Sequence, residues 1–170
     1  MHAMTQATTP TTLHAQQHLG EMTNERGLIE SLSAEGALLL AEARNRAFAE
    51  VARGHLDLGL SVLHEALSHE PMAHDLLSDM AALLLSAGKL AEAQAAAERA
   101  LLLQPAHGAS LYTLAFALSG QGQVLRGKEA LELLLQGPAL SNLMDEAPEL
   151  AEIARIELAR LDALLDSANR

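Results

Sequence analysis

Leucine and alanine recur at steps of three and four positions from residue 34 to residue 167, broken at short intervals by Gly, Pro and polar residues. Such spacing places the apolar side chains along one face of an α-helix. The pattern predicts helices over residues 34–53, 56–68, 72–87, 90–103, 108–119, 124–135 and 148–167. β-Branched and aromatic residues, which suit pleated surfaces, are scarce, so the fold class expected is all-α. Residues 1–23 lack apolar periodicity and carry the run Thr8-Thr9-Pro10-Thr11-Thr12, which predicts a mobile tail. Residues 24–32 form a short amphipathic piece with Leu28, Ile29 and Leu32, enough for one or two helical turns.

The breaks are periodic. Gly54, Gly88 and Gly122 stand 34 residues apart, each between two apolar helical segments; Pro71 and Pro105 share that interval, and Pro138 falls one residue short. Small residues follow the same register at Ala47, Ala81 and Ala115, at Gly59, Ala93 and Gly127, and at Ala66 and Ala100, where Leu134 closes the third series. Small side chains at fixed positions let paired helices approach closely. Glycine admits the positive φ that ends a first helix, and proline after the second helix marks the next start. Three helix-turn-helix units follow, over about 40–71, 74–105 and 108–139, within a domain expected to span 24–170. The segment 148–167, with Leu150, Ile153, Leu158, Leu161, Leu164 and Leu165 on one stripe, is expected to cap the stack.

In its middle unit, through Leu77, Ala81, Leu84, Gly88, Ala93, Ala97, Ala100 and Pro105, the chain resembles the tetratricopeptide-repeat (TPR) family. The flanking units depart from it, with Arg46 at an apolar position and Leu134 at a small one, and in all three units Ala43, Leu77 and Leu111 occupy the place of the family's large aromatic. The resemblance implies a right-handed superhelix of three helical hairpins with an N-terminal helix and a C-terminal capping helix. The first helix of each hairpin would line a concave groove. Its candidate lining is Arg44, Asn45 and Phe48, then Asp75, Ser78, Asp79, Ala82 and Leu85, then Tyr112, Thr113 and Phe116. All three aromatic residues of the chain fall in that set, as candidate anchors for a bound polypeptide, with Asp75 and Asp79 to attract basic residues. Family members that clamp the C-terminal carboxylate of heat-shock chaperones use a Lys/Asn/Arg set. Here those places hold mainly Phe48, Asp79, Ala109 and Thr113, which excludes that mode.

Charge and composition narrow the chemistry. The 170-residue chain has 49% hydrophobic residues, enough for one core, and a net charge of -11, which repels phosphate backbones and anionic lipid, so nucleic acid is excluded as a partner. Without cysteine there is no disulfide, thiolate nucleophile or sulfur-ligated zinc. Residues 1–20 lack the apolar run of a signal peptide and no later stretch reaches membrane-spanning length, so a cytoplasmic protein without membrane insertion is expected.

Eight histidines raise the question of metal. His14 and His18 lie in the tail, and His64, His69 and His74 follow at steps of five, which rotate by roughly 140° around a helix and do not share a face. No metal site is expected. Asp75 and Asp79 are one turn apart but have no nucleophile or base placed with them, and Gly120-Gln121-Gly122 lacks the strand and the Gly-Lys-Ser/Thr of a phosphate loop. No catalytic residue, cofactor or enzymatic activity is therefore expected.

The layout of polar tail, short apolar helix, three repeats and C-terminal helix resembles the class II, low-calcium-response chaperones of bacterial type III secretion. Leu28-Ile29-Glu30-Ser31-Leu32-Ser33 and Gly88-Lys89-Leu90-Ala91-Glu92-Ala93 carry the likeness, while Thr113-Leu114-Ala115-Phe116-Ala117 departs from the pattern of that group's third repeat. The resemblance implies a cytoplasmic bacterial holdase that keeps an apolar segment of a translocator in its groove, without cofactor. It also makes Leu28, Ile29 and Leu32 candidate homodimer contacts. The alternative is a TPR scaffold or assembly subunit of a secretion or pilus system.

Overall fold

A computed structural model of the chain describes residues 36–168. Two compact units, 1–41 and 42–170, divide the chain. The expected tail and the contacts at Leu28, Ile29 and Leu32 lie outside the described residues. Residues 36–52 are helical (α1), the part from 42 onward belonging to the larger unit. There follow α2 (Leu56–His69), α3 (His74–Ser86), α4 (Leu90–Leu103), α5 (Gly108–Gly120), α6 (Val124–Leu134), α7 (Gly137–Glu146) and α8 (Glu149–Ala168). There is no strand among the described residues.

The three periodic glycines perform the turn that the sequence assigns to them. Gly54, Gly88 and Gly122 have φ of +88°, +73° and +75°. At each, the glycine N–H donates back three residues and the next N–H donates back five: Gly88 to Leu85 and Lys89 to Leu84, both at 2.9 Å, with the same pair of bonds at the other two turns. This double closure satisfies carbonyls at the end of the first helix and reverses the chain. The helices α2 to α7 have no side-chain N-cap, so these backbone closures do the work of punctuation.

The small-residue series marks the closest helix crossings. A Cβ on Gly59 would stand 2.8 Å from the Ala47 carbonyl oxygen, and one on Gly127 would stand 3.3 Å from that of Ala115. Ala47, Ala81, Ala93 and Ala115 are completely buried. The core runs through the hairpins in clusters. Ala81, Leu84, Ala93, Ala96, Ala97 and Ala117 join the second hairpin to α5. Leu111, Ala115, Leu118, Leu131, Leu134, Leu143, Ala154 and Leu161 join the third hairpin to α7 and α8.

Helix α7 is the element that the apolar pattern does not announce. Pro138 stands in its first turn, where a missing N–H costs nothing, so it opens a helix besides following one. Leu143 and Ala139 bury its inner face against α5, close enough that a Cβ on Gly108 would meet Leu143 at 2.8 Å. The Gly108 N–H donates to Asn142 Oδ1 at 2.5 Å. Two helices therefore follow the third hairpin where one was expected. Helix α3 starts at His74, two residues later than predicted, because the turn after Pro71 leaves Met72 exposed. Helix α8 starts just after Pro148.

Candidate functional site

Residues 34 apart occupy equivalent places on successive first helices, so Phe48, Ala82 and Phe116 form one row across α1, α3 and α5, and Arg44, Ser78 and Tyr112 another. In the first row Phe48 is 42% exposed, Ala82 is exposed and Phe116 is half-buried. Tyr112 and Phe116 stack on each other, with ring centroids 4.4 Å apart and planes 29° apart, and both rest against the core cluster of α5 to α8. Burial raises the Tyr112 pKa, with Glu157 of α8 adding to the effect. Phe48 makes no ring contact with either among the described residues.

The other expected lining residues separate by exposure. Arg44, Asn45 and Asp75 are exposed, and Leu85 is half-buried against the cluster of the second hairpin. Ser78 and Thr113, expected on the groove surface, are buried. Packed neighbours leave open only a narrow strip of α3 and of α5. Ser78 is rotated roughly 60° from Asp75 about the helix axis, and Thr113 roughly 60° from Phe116, which puts both at the edge of that strip.

Arg44 and Asp79, the cation and one of the anions read from sequence, are paired with each other. Arg44 Nε donates to Asp79 Oδ2, and Nη2 donates to Oδ1 at 3.1 Å. This fork joins α1 to α3. The hydrogen bond to Asp79 raises the Arg44 pKa, while burial raises that of Asp79 against the opposing pull of Arg44. The guanidinium is therefore engaged, and Asp75 remains the exposed carboxylate beside it.

A second polar group lies at the N-terminal ends of α3 and α5. His74 Nε2 is 3.1 Å from Asp75 Oδ1, and His107, from the turn before α5, brings its Nε2 to 3.8 Å from the same oxygen. The two imidazoles meet edge to face at 5.2 Å. His107 is buried, which lowers its pKa, and its Nδ1 lies 2.8 Å from Ser110 Oγ. Glu146, at the end of α7, reaches within 3.6 Å of His107 Nε2. Sequence spacing does not bring His107 to His74, because they lie 33 residues apart on different helical units. The 34-residue repeat is the signal that places the starts of α3 and α5 side by side.

Among solved structures, the chain is similar to the Sgt2 TPR domain from Aspergillus fumigatus, at 21% identity and a TM-score of 0.64, covering 77% of this chain and 82% of that one. It is also similar to the second TPR domain of human RPAP3, solved in complex with the HSP70 peptide SGPTIEEVD, at 16% identity and a TM-score of 0.60, covering 75% and 98%. A third match, the TPR2AB-domain:pHSP90 complex of yeast Sti1, has 17% identity and a TM-score of 0.60, covering 83% of this chain and 55% of that one. The fold is a tetratricopeptide-repeat fold. Its all-helical class and superhelical stack of hairpins agree with the sequence expectation. No protein-family model matches the chain, and no curated protein matches it. No described helix is long and apolar enough to cross a membrane.

Proposed function

We propose that the protein is a polypeptide-binding module whose groove takes an extended apolar segment flanked by basic residues. The observation that carries this reading is the row of Phe48, Ala82 and Phe116 on three successive first helices, the first two exposed and the third a half-buried ring stacked on Tyr112. An extended segment laid across such a row could place apolar side chains against it at low entropic cost to the receptor, since the aromatic rings are few-rotamer anchors.

Charge selects the partner further. The RPAP3 structure holds a peptide ending in EEVD. A peptide of that acidity would meet Asp75 and Asp79 here, and the nearby Arg44 is already engaged by Asp79. A basic or neutral segment fits this groove better.

The specific role proposed is that of a bacterial cytoplasmic holdase of the type III secretion class, guarding the apolar segment of a translocator. The entry segment at residues 28–33 and the three-hairpin layout support it; the pair of helices α7 and α8 after the third hairpin departs from the single helix of that layout.

The test uses Ala82→Glu and Phe48→Ala, because neither side chain is buried and both variants should fold. With a translocator co-expressed, the wild-type protein should keep it soluble and co-purify with it, and each variant should lose at least about tenfold of the recovered client. Retention of an otherwise insoluble client by both variants would remove the groove from the account and leave the scaffold alternative, in which a folded partner docks elsewhere.

A further inference from the structure

We infer that His74, Asp75 and His107 form a binding site for a divalent transition-metal ion, with Glu146 within reach as a fourth ligand. The inference goes beyond polypeptide binding and does not depend on it.

Geometry carries the argument. One ligand atom from each of His74, Asp75 and His107 can be chosen so that all lie within 4.8 Å of one another. In a tetrahedral zinc site with bonds of 2.0–2.1 Å, neighbouring ligand atoms are about 3.3 Å apart. Asp75 Oδ1 lies 3.1 Å from His74 Nε2 and 3.8 Å from His107 Nε2, which brackets that separation. His74 and Asp75 are partly exposed, which leaves their side chains room to adjust around one ion.

The arrangement around the donors is that of a supported ligand set. Ser110, itself completely buried, holds His107 through Nδ1 at 2.8 Å and leaves Nε2 directed at Asp75 and Glu146. Metal-ligating histidines are oriented in this way by a partner on their other nitrogen. Asn142 donates to Glu146 Oε1 at 2.6 Å, leaving Oε2 for the site. Two imidazoles with one or two carboxylates favour zinc, cobalt, nickel or copper over magnesium or calcium, which prefer all-oxygen sets.

Such an ion would join the start of α3 to the turn before α5, and through Glu146 to the end of α7. It would pin α3, α5 and α7 together at their adjoining ends. Binding should therefore stabilise the folded chain by mass action.

The experiment titrates the untagged full chain, stripped with chelator, with zinc chloride, following heat of binding and thermal unfolding. The expected result is a saturable site of one ion per chain and a rise in Tm of about 5 °C. His74→Ala and Asp75→Asn should each weaken zinc at least about tenfold and abolish the rise in Tm, while both remain folded because neither side chain is buried. His14→Ala/His18→Ala should bind zinc as the wild type does. Absence of saturable binding, loss of binding in the tail variant, or a Tm rise that persists in both His74→Ala and Asp75→Asn would overturn the site; the last outcome would leave the cluster as hydrogen-bonded packing alone.

Discussion

Glycine has two distinct uses in this chain, and substitution separates them. At Gly88 an added Cβ would meet nothing within 4 Å, so the demand is conformational: φ is +73°. At Gly59 φ is ordinary and the demand is steric, because a Cβ would fall 2.6 Å from Val51 Cγ2 and 2.8 Å from the Ala47 carbonyl oxygen. Gly88→Ala should therefore lower stability by about 1–2 kcal/mol, and Gly88→Asn by less, since asparagine tolerates the left-handed region. Gly59→Ala should cost up to about 3 kcal/mol as α1 and α2 are forced apart, and Gly59→Asn should cost at least as much. Urea denaturation of the four variants checks this; equal losses for Gly88→Ala and Gly88→Asn would argue against the backbone explanation. Both uses were legible from the 34-residue register, because a repeated constraint leaves a repeated residue. The pairing of Arg44 with Asp79 was not legible. They lie 35 residues apart, one beyond the repeat, and only the stacking of α1 on α3 lets the guanidinium reach across.

At the scale of elements, the helices whose apolar stripes extend over three turns or more were predicted to within two residues at most ends, whereas α7 was not predicted at all. Its ten residues supply one short stripe, and Pro138 reads equally as the end of α6 or the start of α7. The same shortness explains why the polar tie at its end, Glu146 beside His107, had no signature in the sequence. Helix α8 is held by side chains as well as by its apolar stripe: Glu157 accepts from Ser119 Oγ of α5 and from Arg160, and Lys128 of α6 donates to Asp162 at 2.5 Å. The hydrogen bond from Arg160, and then that from Ser119, lower the Glu157 pKa below the ordinary 4.5 of a glutamate. A carboxylate whose pKa is lower folded than unfolded stabilises the fold above the unfolded value, and that contribution disappears as pH falls through the folded value. Glu157→Gln should cost about 1 kcal/mol at pH 7, and the gap to wild type should close as pH falls below about 4.5. Denaturation midpoints of the two proteins between pH 7 and pH 3 measure it; a gap that is constant across this range would show that the charge of Glu157 does not hold α8.

For the whole molecule, the fold leaves two forces to act on a partner, and they respond to salt in opposite directions. The chain carries 22 acidic and 11 basic residues, and in the proposed groove Asp75 is exposed while Arg44 is engaged by Asp79. Burial of the partner's apolar side chains on Phe48, Ala82 and Phe116 is indifferent to simple salt or strengthened by it. Attraction between an acidic groove and basic flanking residues is screened over a Debye length that shrinks from about 10 Å at 0.1 M to about 3 Å at 1 M. If both forces act, a peptide with an apolar centre and basic flanks should associate at least about tenfold more slowly at 0.5 M than at 0.05 M sodium chloride, with little change in its dissociation rate. The same peptide with glutamate flanks should bind more weakly at low salt and gain affinity as salt is added. Stopped-flow fluorescence with the two peptides separates the terms, and identical salt responses for both would assign recognition to the apolar row alone.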